Sequence, residues 1–264
     1  MEKGYTVITG ATGGLGGAFT RLCFKENEPL VLLGRSEEKL AALKGELLAE
    51  RSNAEVLTYA VDLTNAGSRD EFMQDFALKN GKIKRLINVA GVDTQKGFTL
   101  YTQEKIVFQT RVNFEAAVCL CKFALDHAAE GLEIINVSSI SGSCPMPYFA
   151  IYSASKRALT DFSLALREEV KKDGVKVTAV TPGGIPTRED VKEQIKGQGL
   201  WGKLTAKSPE TVARASLKGV KKNKAVVVPG FFNKAMTVFT KLLPRGIKLK
   251  FIAKRWSKIS KDAF

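Results

Sequence analysis

Tyr152 and Lys156 stand four residues apart, with Ser139 thirteen residues before the tyrosine. On a helix an i, i+4 pair shares one face. An ammonium beside a phenol favours the phenolate and lowers its pKa, which suits the phenol to general acid/base work near neutral pH. A serine hydroxyl beside it can hold a carbonyl oxygen. Ser138 competes with Ser139 for that task. Tyr-x-x-x-Lys alone is a weak signal, because the spacing is common by chance. The competing chemistries have less behind them. His127 is the single histidine and lies beside Asp126 at a polar helix end, so neither a His-based triad nor a zinc site of usual spacing can be assembled. No metal is expected. Four cysteines (Cys23, Cys119, Cys121, Cys144) make no disulfide framework in a chain of 264 residues and read as reduced thiols of a cytoplasmic protein.

A second constellation lies near the start, at Thr9-Gly10-Ala11-Thr12-Gly13-Gly14-Leu15-Gly16. An apolar strand pattern precedes it and a helical pattern follows. Glycines there let the backbone turn tightly and approach a pyrophosphate resting on the helix N-terminus. The spacing is Gly-x3-Gly-x-Gly, and no Gly-Lys-Ser/Thr follows, so it is not a P-loop. The next apolar run ends Leu33-Gly34-Arg35-Ser36. An acid at this place bonds the ribose hydroxyls of NAD. Here there is none, and the fork of Arg35 can pair with a 2′-phosphate, which favours NADP(H).

The elements that must carry these residues follow from periodicity. Strand-length apolar runs recur at Val7–Ile8, Leu30–Leu33, Val56–Val61, Leu86–Ile87, Ile134–Val137, Val175–Val180 and Val226–Val228. Helical patterns fill the gaps at Glu37–Leu48, Thr102–Asp126 and Ile151–Val170. Strands alternating with helices predict an α/β fold, a doubly wound, seven-stranded parallel sheet covered on both faces. The chain divides into residues 1–230, one such domain with a mobile substrate lid near 188–207, and residues 231–264, a basic amphipathic C-terminal extension. No run is long and apolar enough for a spanning helix, and the early first strand argues against a signal peptide.

Taken together, the motifs resemble the short-chain dehydrogenase/reductase family over roughly residues 4–230. The resemblance rests on Thr9-Gly10-x3-Gly14-x-Gly16, Asp62-Leu63, Asn88-x-Ala90-Gly91, Asn113, Ser139, Tyr152-x3-Lys156 and Pro182-Gly183-x-Ile185-x-Thr187, all in the family's order. It implies a catalytic tetrad: Asn113 holding a helix-kink water, Ser139 binding the substrate oxygen, Tyr152 passing the proton, and Lys156 gripping the nicotinamide ribose. It also implies cofactor contacts from Gly10, Thr12, Gly14, Leu15, Gly16 and Arg35, from Asp62 and Leu63 at the adenine, and from Asn88, Ala90 and Gly91. Pro182, Gly183, Ile185 and Thr187 would cover the nicotinamide. One position departs. The family has Asn-Asn-Ala-Gly where this chain has Asn88-Val89-Ala90-Gly91, so hydrogen bonds that pin neighbouring strands are lost.

The formal charge of +14 is uneven: residues 192–264 carry a net +15 and the first 191 residues −1. A basic quarter suits an anionic membrane surface, an acidic partner or nucleic acid. The extension lacks the interleaved aromatics of a nucleic-acid surface, so none is expected. Its first stretch puts Phe232, Ala235, Met236, Phe239, Leu242 and Leu243 on one helical face. Pro244-Arg245-Gly246 breaks it. The second puts Leu249, Ile252, Trp256 and Ile259 on one side and Lys250, Lys254, Lys258 and Lys261 on another. The extension is expected to fold onto the body near the substrate mouth, with peripheral membrane contact as the alternative. The walls of that mouth (Val92–Leu100, Ile140–Tyr148 and Arg188–Lys207) hold aromatic and Met side chains, which suggests a small lipophilic substrate, with Cys144 as wall rather than nucleophile. The expected activity is NADP(H)-dependent interconversion of a secondary alcohol and a ketone, on a hydroxysteroid or similar bulky substrate. A 3-oxoacyl-thioester reductase and a non-catalytic NADP-binding or membrane-surface scaffold stay open as alternatives. The long helices near Thr102–Asp126 and Ile151–Val170 are expected to pair across a two-fold axis into a homodimer or homotetramer.

Overall fold

Successive residues of a strand face opposite sides of a sheet, and the apolar runs obey this. Ile8, Leu30, Leu32, Ile135 and Val137 enter one core, while Val7, Val31, Leu33 and Ile134 enter the other. The computed structural model describes residues 4–79, 81–187, 191, 193, 204–242 and 244–257. Its strands are β1 (Gly4–Thr9), β2 (Leu30–Gly34), β3 (Val56–Ala60), β4 (Lys82–Asn88), β5 (Ala128–Val137), β6 (Lys176–Val180) and β7 (Val226–Val227). They form one seven-stranded sheet in the order β3-β2-β1-β4-β5-β6-β7, and every pairing is parallel.

The helices are α1 (Gly14–Lys25), α2 (Glu37–Glu50), α3 (Ala66–Leu78), α4 (Gln103–Thr110), α5 (Ala116–Asp126), α6 (Ala150–Val170), α7 (Pro209–Lys221), α8 (Phe231–Leu242) and α9 (Arg245–Trp256). Phe19, Phe24, Leu40, Leu43 and Leu217 bring α1, α2 and α7 onto one sheet face. Phe72, Phe76, Leu120, Phe123 and Leu166 bring α3, α5 and α6 onto the other. The chain is therefore α/β and doubly wound, with the strand order reversing between β1 and β4. In such sheets ligands bind beyond the carboxyl ends of the strands at this switch point.

Three local expectations are corrected. The pattern over Thr102–Asp126 is not one continuous helix: a π-turn at Arg111–Glu115 separates α4 from α5. In α8, Ala235, Phe239 and Leu242 face outward, because Phe232, Asn233, Met236 and Thr237 take the side toward the body. The break after α8 is narrower than Pro244-Arg245-Gly246. Pro244 is the N-cap of α9, and Arg245 and Gly246 already lie in its first turn, a placement that proline's fixed φ favours. Of the expected lid, 188–207, only residues 191, 193 and 204–207 are among the described ones.

Candidate active site

The turn after β1 is built for close approach. Gly10 has φ +64°, and a Cβ at Gly16 would overlap the Gly10 carbonyl. Only glycine meets both demands without strain. The chain then enters α1 with Gly13 as N-cap and no side chain capping the first turn, whereas Ser36, Asn65, Thr102 and Ser208 cap α2, α3, α4 and α7 with their own oxygens. Thr12, Gly13 and Gly14 are exposed and Leu15 is buried as the anchor of α1. The first amides of α1 thus face an open cradle able to take a phosphate group.

Arg35, exposed at the end of β2, has no ion pair among the described residues. Asp62, after β3, accepts hydrogen bonds from the Thr64 amide (2.9 Å) and hydroxyl (2.8 Å), and the buried Leu63 gives its carbonyl to Arg69 at 2.6 Å. At the end of β4, Asn88 Nδ2 donates to Asn136 Oδ1 at 2.8 Å. The loss expected from Val89 is made good by Thr9, whose Oγ1 accepts from the amides of Val89 (2.9 Å) and Ala90 (3.0 Å). Val89 itself packs against the core, so β1 and β4 remain tied where the turn begins.

Gly91 draws the centre together. A Cβ there would lie 3.0 Å from Lys156 Nζ and 3.1 Å from Asn113 Oδ1. Asn113 sits inside the π-turn, 1% exposed. Its side chain accepts from the Val92 amide (2.8 Å) and donates to the Val92 carbonyl (2.9 Å) and to Ser155 Oγ (3.3 Å). A π-turn inside a helix re-aims one side chain and recurs at functional sites. Lys156 Nζ donates to the Val137 carbonyl at 2.9 Å and lies 5.9 Å from the centre of the Tyr152 ring. Ser139 Oγ accepts from the Ser141 amide at 3.1 Å and stands near enough to the Tyr152 phenol to bear on its titration. Ser138 is otherwise engaged: it donates to the Lys156 carbonyl (2.6 Å) and receives Thr160 Oγ1 (2.7 Å). The choice between the two serines therefore falls on Ser139.

The electrostatics revise one expectation. Burial, with the Asp93 carboxylate adding to it, pushes the Tyr152 phenol above its ordinary range, and the nearby Ser139 hydroxyl opposes this. Burial also brings the Lys156 ammonium down to about 8, against the pull of Asp93. The lysine sits over the ring with its charge directed to Val137, so the expected lowering of the phenol is not seen. A phenol raised in this way has the chemistry of a proton donor rather than of a standing phenolate.

The loop after β6 lies over this centre. Ile140 N donates to the Pro182 carbonyl at 3.0 Å and Lys207 N to that of Gly184 at 3.0 Å. Ile185 packs against the core, and Thr187 abuts Gly14 across the cradle. Residues whose individual contacts the sequence did not announce complete the site. Asp93 follows the Asn88–Gly91 motif with no spacing signal of its own. Asn233, buried, donates to the carbonyls of Thr205 (2.9 Å) and Pro229 (2.8 Å) and adjoins Gly183, fastening the extension to the loop. Tyr148, at φ +65°, joins two of the expected walls through Lys96 N to its carbonyl at 3.0 Å. Phe149 meets Tyr152 on one side and Trp256 on the other.

Glycine cradle, uncapped helix amides, free arginine and the polar cluster line the carboxyl ends of β1 to β6, an arrangement that fits a dinucleotide. Among the described residues no cluster of acids, cysteines or histidine could hold a metal ion, and no helix is long and apolar enough to cross a membrane. The chain is 32% identical to dehydrogenase/reductase SDR family member 7B of Bos taurus, over 99% of this chain and 84% of the relative. The structure of a 7beta-hydroxysteroid dehydrogenase superposes with a TM-score of 0.82 at 24% identity, covering 95% of this chain and 96% of the other. That of L-sorbose reductase from Gluconobacter frateurii, complexed with NADPH and L-sorbose, does so at 0.75 and 27%, covering 87% and 98%. The profile of the short chain dehydrogenases matches residues 5–196, and with the fold and motifs it establishes that this chain belongs to the short-chain dehydrogenase/reductase family of oxidoreductases.

Proposed function

We propose that the protein is an NADP(H)-dependent oxidoreductase that interconverts a secondary alcohol and a ketone on a bulky lipophilic substrate such as a hydroxysteroid. The observation that carries this reading is the convergence of four groups: Asn113 and Lys156 meet beside the Gly91 backbone, Lys156 lies over the Tyr152 ring, and Ser139 stands near the phenol. A scaffold needs no such cluster. Gly10, Gly14, Gly16 and the α1 amides would hold the pyrophosphate, and Asp62 and Leu63 would flank the adenine. Arg35 would pair with the 2′-phosphate through its fork of donors, the ground for preferring NADP(H) over NAD(H). Asn88, Ala90, Gly91, Pro182, Gly183, Ile185 and Thr187 would line the nicotinamide half. When bound, the dihydronicotinamide supplies the hydride.

This chain's residues then serve the oxygen. Ser139 donates a hydrogen bond to the substrate carbonyl. Tyr152, held neutral by burial, donates its proton to that oxygen as negative charge develops there. Lys156 keeps a positive charge behind the phenol and stabilises the tyrosinate left after transfer. Asn113 fixes the loop at Val92 and the turn of α6 that carries Ser155, and so holds lysine and tyrosine in place. Met146, Tyr148, Phe149 and Trp256 give the mouth its apolar surface, which supports a lipophilic substrate over a sugar or short hydroxy acid. The four free cysteines suit a reducing compartment. The test is a screen of hydroxysteroids, 3-oxoacyl thioesters and small ketones with NADPH and with NADH. Turnover fastest with NADPH and a bulky cyclic ketone supports the reading. Turnover confined to acyl thioesters would favour a reductase of fatty-acid type, and no turnover with any ketone would overturn the assignment.

A further inference from the structure

The C-terminal extension is apolar on two sides. The inner side of α8 turns Phe232 and Met236 toward the body, and that of α9 turns Leu249, Ile252 and Trp256 the same way. Lys248 Nζ donates to the Thr240 carbonyl at 2.7 Å and ties the helices to each other. The outer side is also apolar. Phe231, Val238, Phe239 and Leu242 of α8 and Ile247 and Phe251 of α9 are each at least 59% exposed. A water-facing helix normally offers polar residues there, and contiguous exposed apolar surface marks an interaction site.

What surrounds these side chains decides the occupant. Lys234, Arg245, Lys250, Lys254 and Arg255 are exposed among them, and no acid occurs from 231 to 257. Bulky apolar groups interleaved with exposed cations match a surface whose anions lie just above its hydrocarbon. A second copy of the same face would bring like charges together and is disfavoured. We propose that the outer face of α8 and α9 docks the protein on an anionic lipid surface, with Phe231, Val238, Leu242 and Phe251 entering the acyl boundary and the lysines meeting headgroups. The inner face remains packed on Phe149, so docking sets the candidate site against the phase in which a lipophilic substrate dissolves. The proposal does not depend on the substrate assignment.

Co-sedimentation of the full chain with vesicles tests it. The chain is expected to bind phosphatidylcholine vesicles containing roughly one-third phosphatidylserine, to bind pure phosphatidylcholine far less, and to be released by salt. Lys250→Gln with Lys254→Gln should lower the partition coefficient about 25-fold, near fivefold per cation. Val238→Ser with Phe251→Ser should lower it by at least about tenfold. Both variants should keep wild-type turnover of a small soluble ketone, which separates this test from that of the activity. Absence of binding, or binding unchanged by both variants, would overturn the proposal. So would a fall in the solution mass of either variant without lipid, which would make the face a contact between copies.

Discussion

Trp256 stacks against Phe149 with 5.7 Å between ring centres, and Phe149 meets Tyr152 edge-on at 5.5 Å. One aromatic ring thus separates the last turn of α9 from the Tyr152 ring. The extension is part of the wall beside the reacting atoms, whatever its outer face does.

Trp256→Ala removes that outer ring, an aromatic contact contributing about 0.5–1.5 kcal/mol beyond its area. KM for a bulky lipophilic ketone is expected to rise several-fold, while kcat on a small ketone stays near the wild-type value. Steady-state kinetics on the two substrates checks this. Equal losses on both would mean that the ring supports folding generally and does not shape the mouth.

The cofactor preference rests on Arg35. Arg35→Asp places a repelling charge where the 2′-phosphate would sit and an acceptor where ribose hydroxyls would sit. The ratio of NADPH to NADH affinity should fall by at least about a hundredfold, a loss of roughly 3 kcal/mol typical of a charge-assisted pair. Direct binding titrations read this, and an unchanged ratio would place the selectivity elsewhere.

Lys156 makes folding stability depend on pH in a defined direction. Its ammonium is brought from 10.5 down to about 8 by burial. Below about 8 the group is charged in both folded and unfolded chains, and the cost of burying the charge is fully present. Between about 8 and 10.5 the unfolded chain binds more protons, so this group's contribution to stability rises with pH. Relative to Lys156→Met, the wild type should gain up to about 3 kcal/mol across that window. Denaturant unfolding of both proteins at several pH values measures it, and parallel pH profiles would show that the lysine is not desolvated.

Assembly offers a separate check. Phe114 of the π-turn and Phe162 of α6 meet edge-on while remaining half-exposed, and Val107 of α4 is exposed. We propose that this side pairs with its copy across a two-fold axis. Light scattering should give twice or four times 28.8 kDa, and a mass of one chain at micromolar concentration would refute it.

Much of this was legible in the residues. The continuous apolar runs placed all seven strands because both sheet faces are covered, and the glycine turn was readable because Gly10 and Gly16 answer steric demands that act over a few residues. Interactions between distant segments were not. Nothing local announces that Thr9 takes over the pinning lost at Val89, or that the Asp93 charge bears on Tyr152 and Lys156. The π-turn hides inside a helical pattern, since no residue type marks where the extra residue is inserted. The two-sidedness of α8 was missed because its apolar residues were assigned to a single face, whereas Phe239 and Leu242 point away from Phe232 and Met236.

The central claim is that Tyr152 passes the proton. Tyr152→Phe keeps the ring against Phe149 and removes only the hydroxyl, so folding and NADPH affinity should hold. Turnover should drop by at least about 3–5 kcal/mol of transition-state stabilisation, some hundredfold to several thousandfold. The measurement is kcat of the purified variant, with NADPH binding as its control. A fall of that size with cofactor binding intact is the predicted result. A variant that binds NADPH and turns over near the wild-type rate would contradict the account.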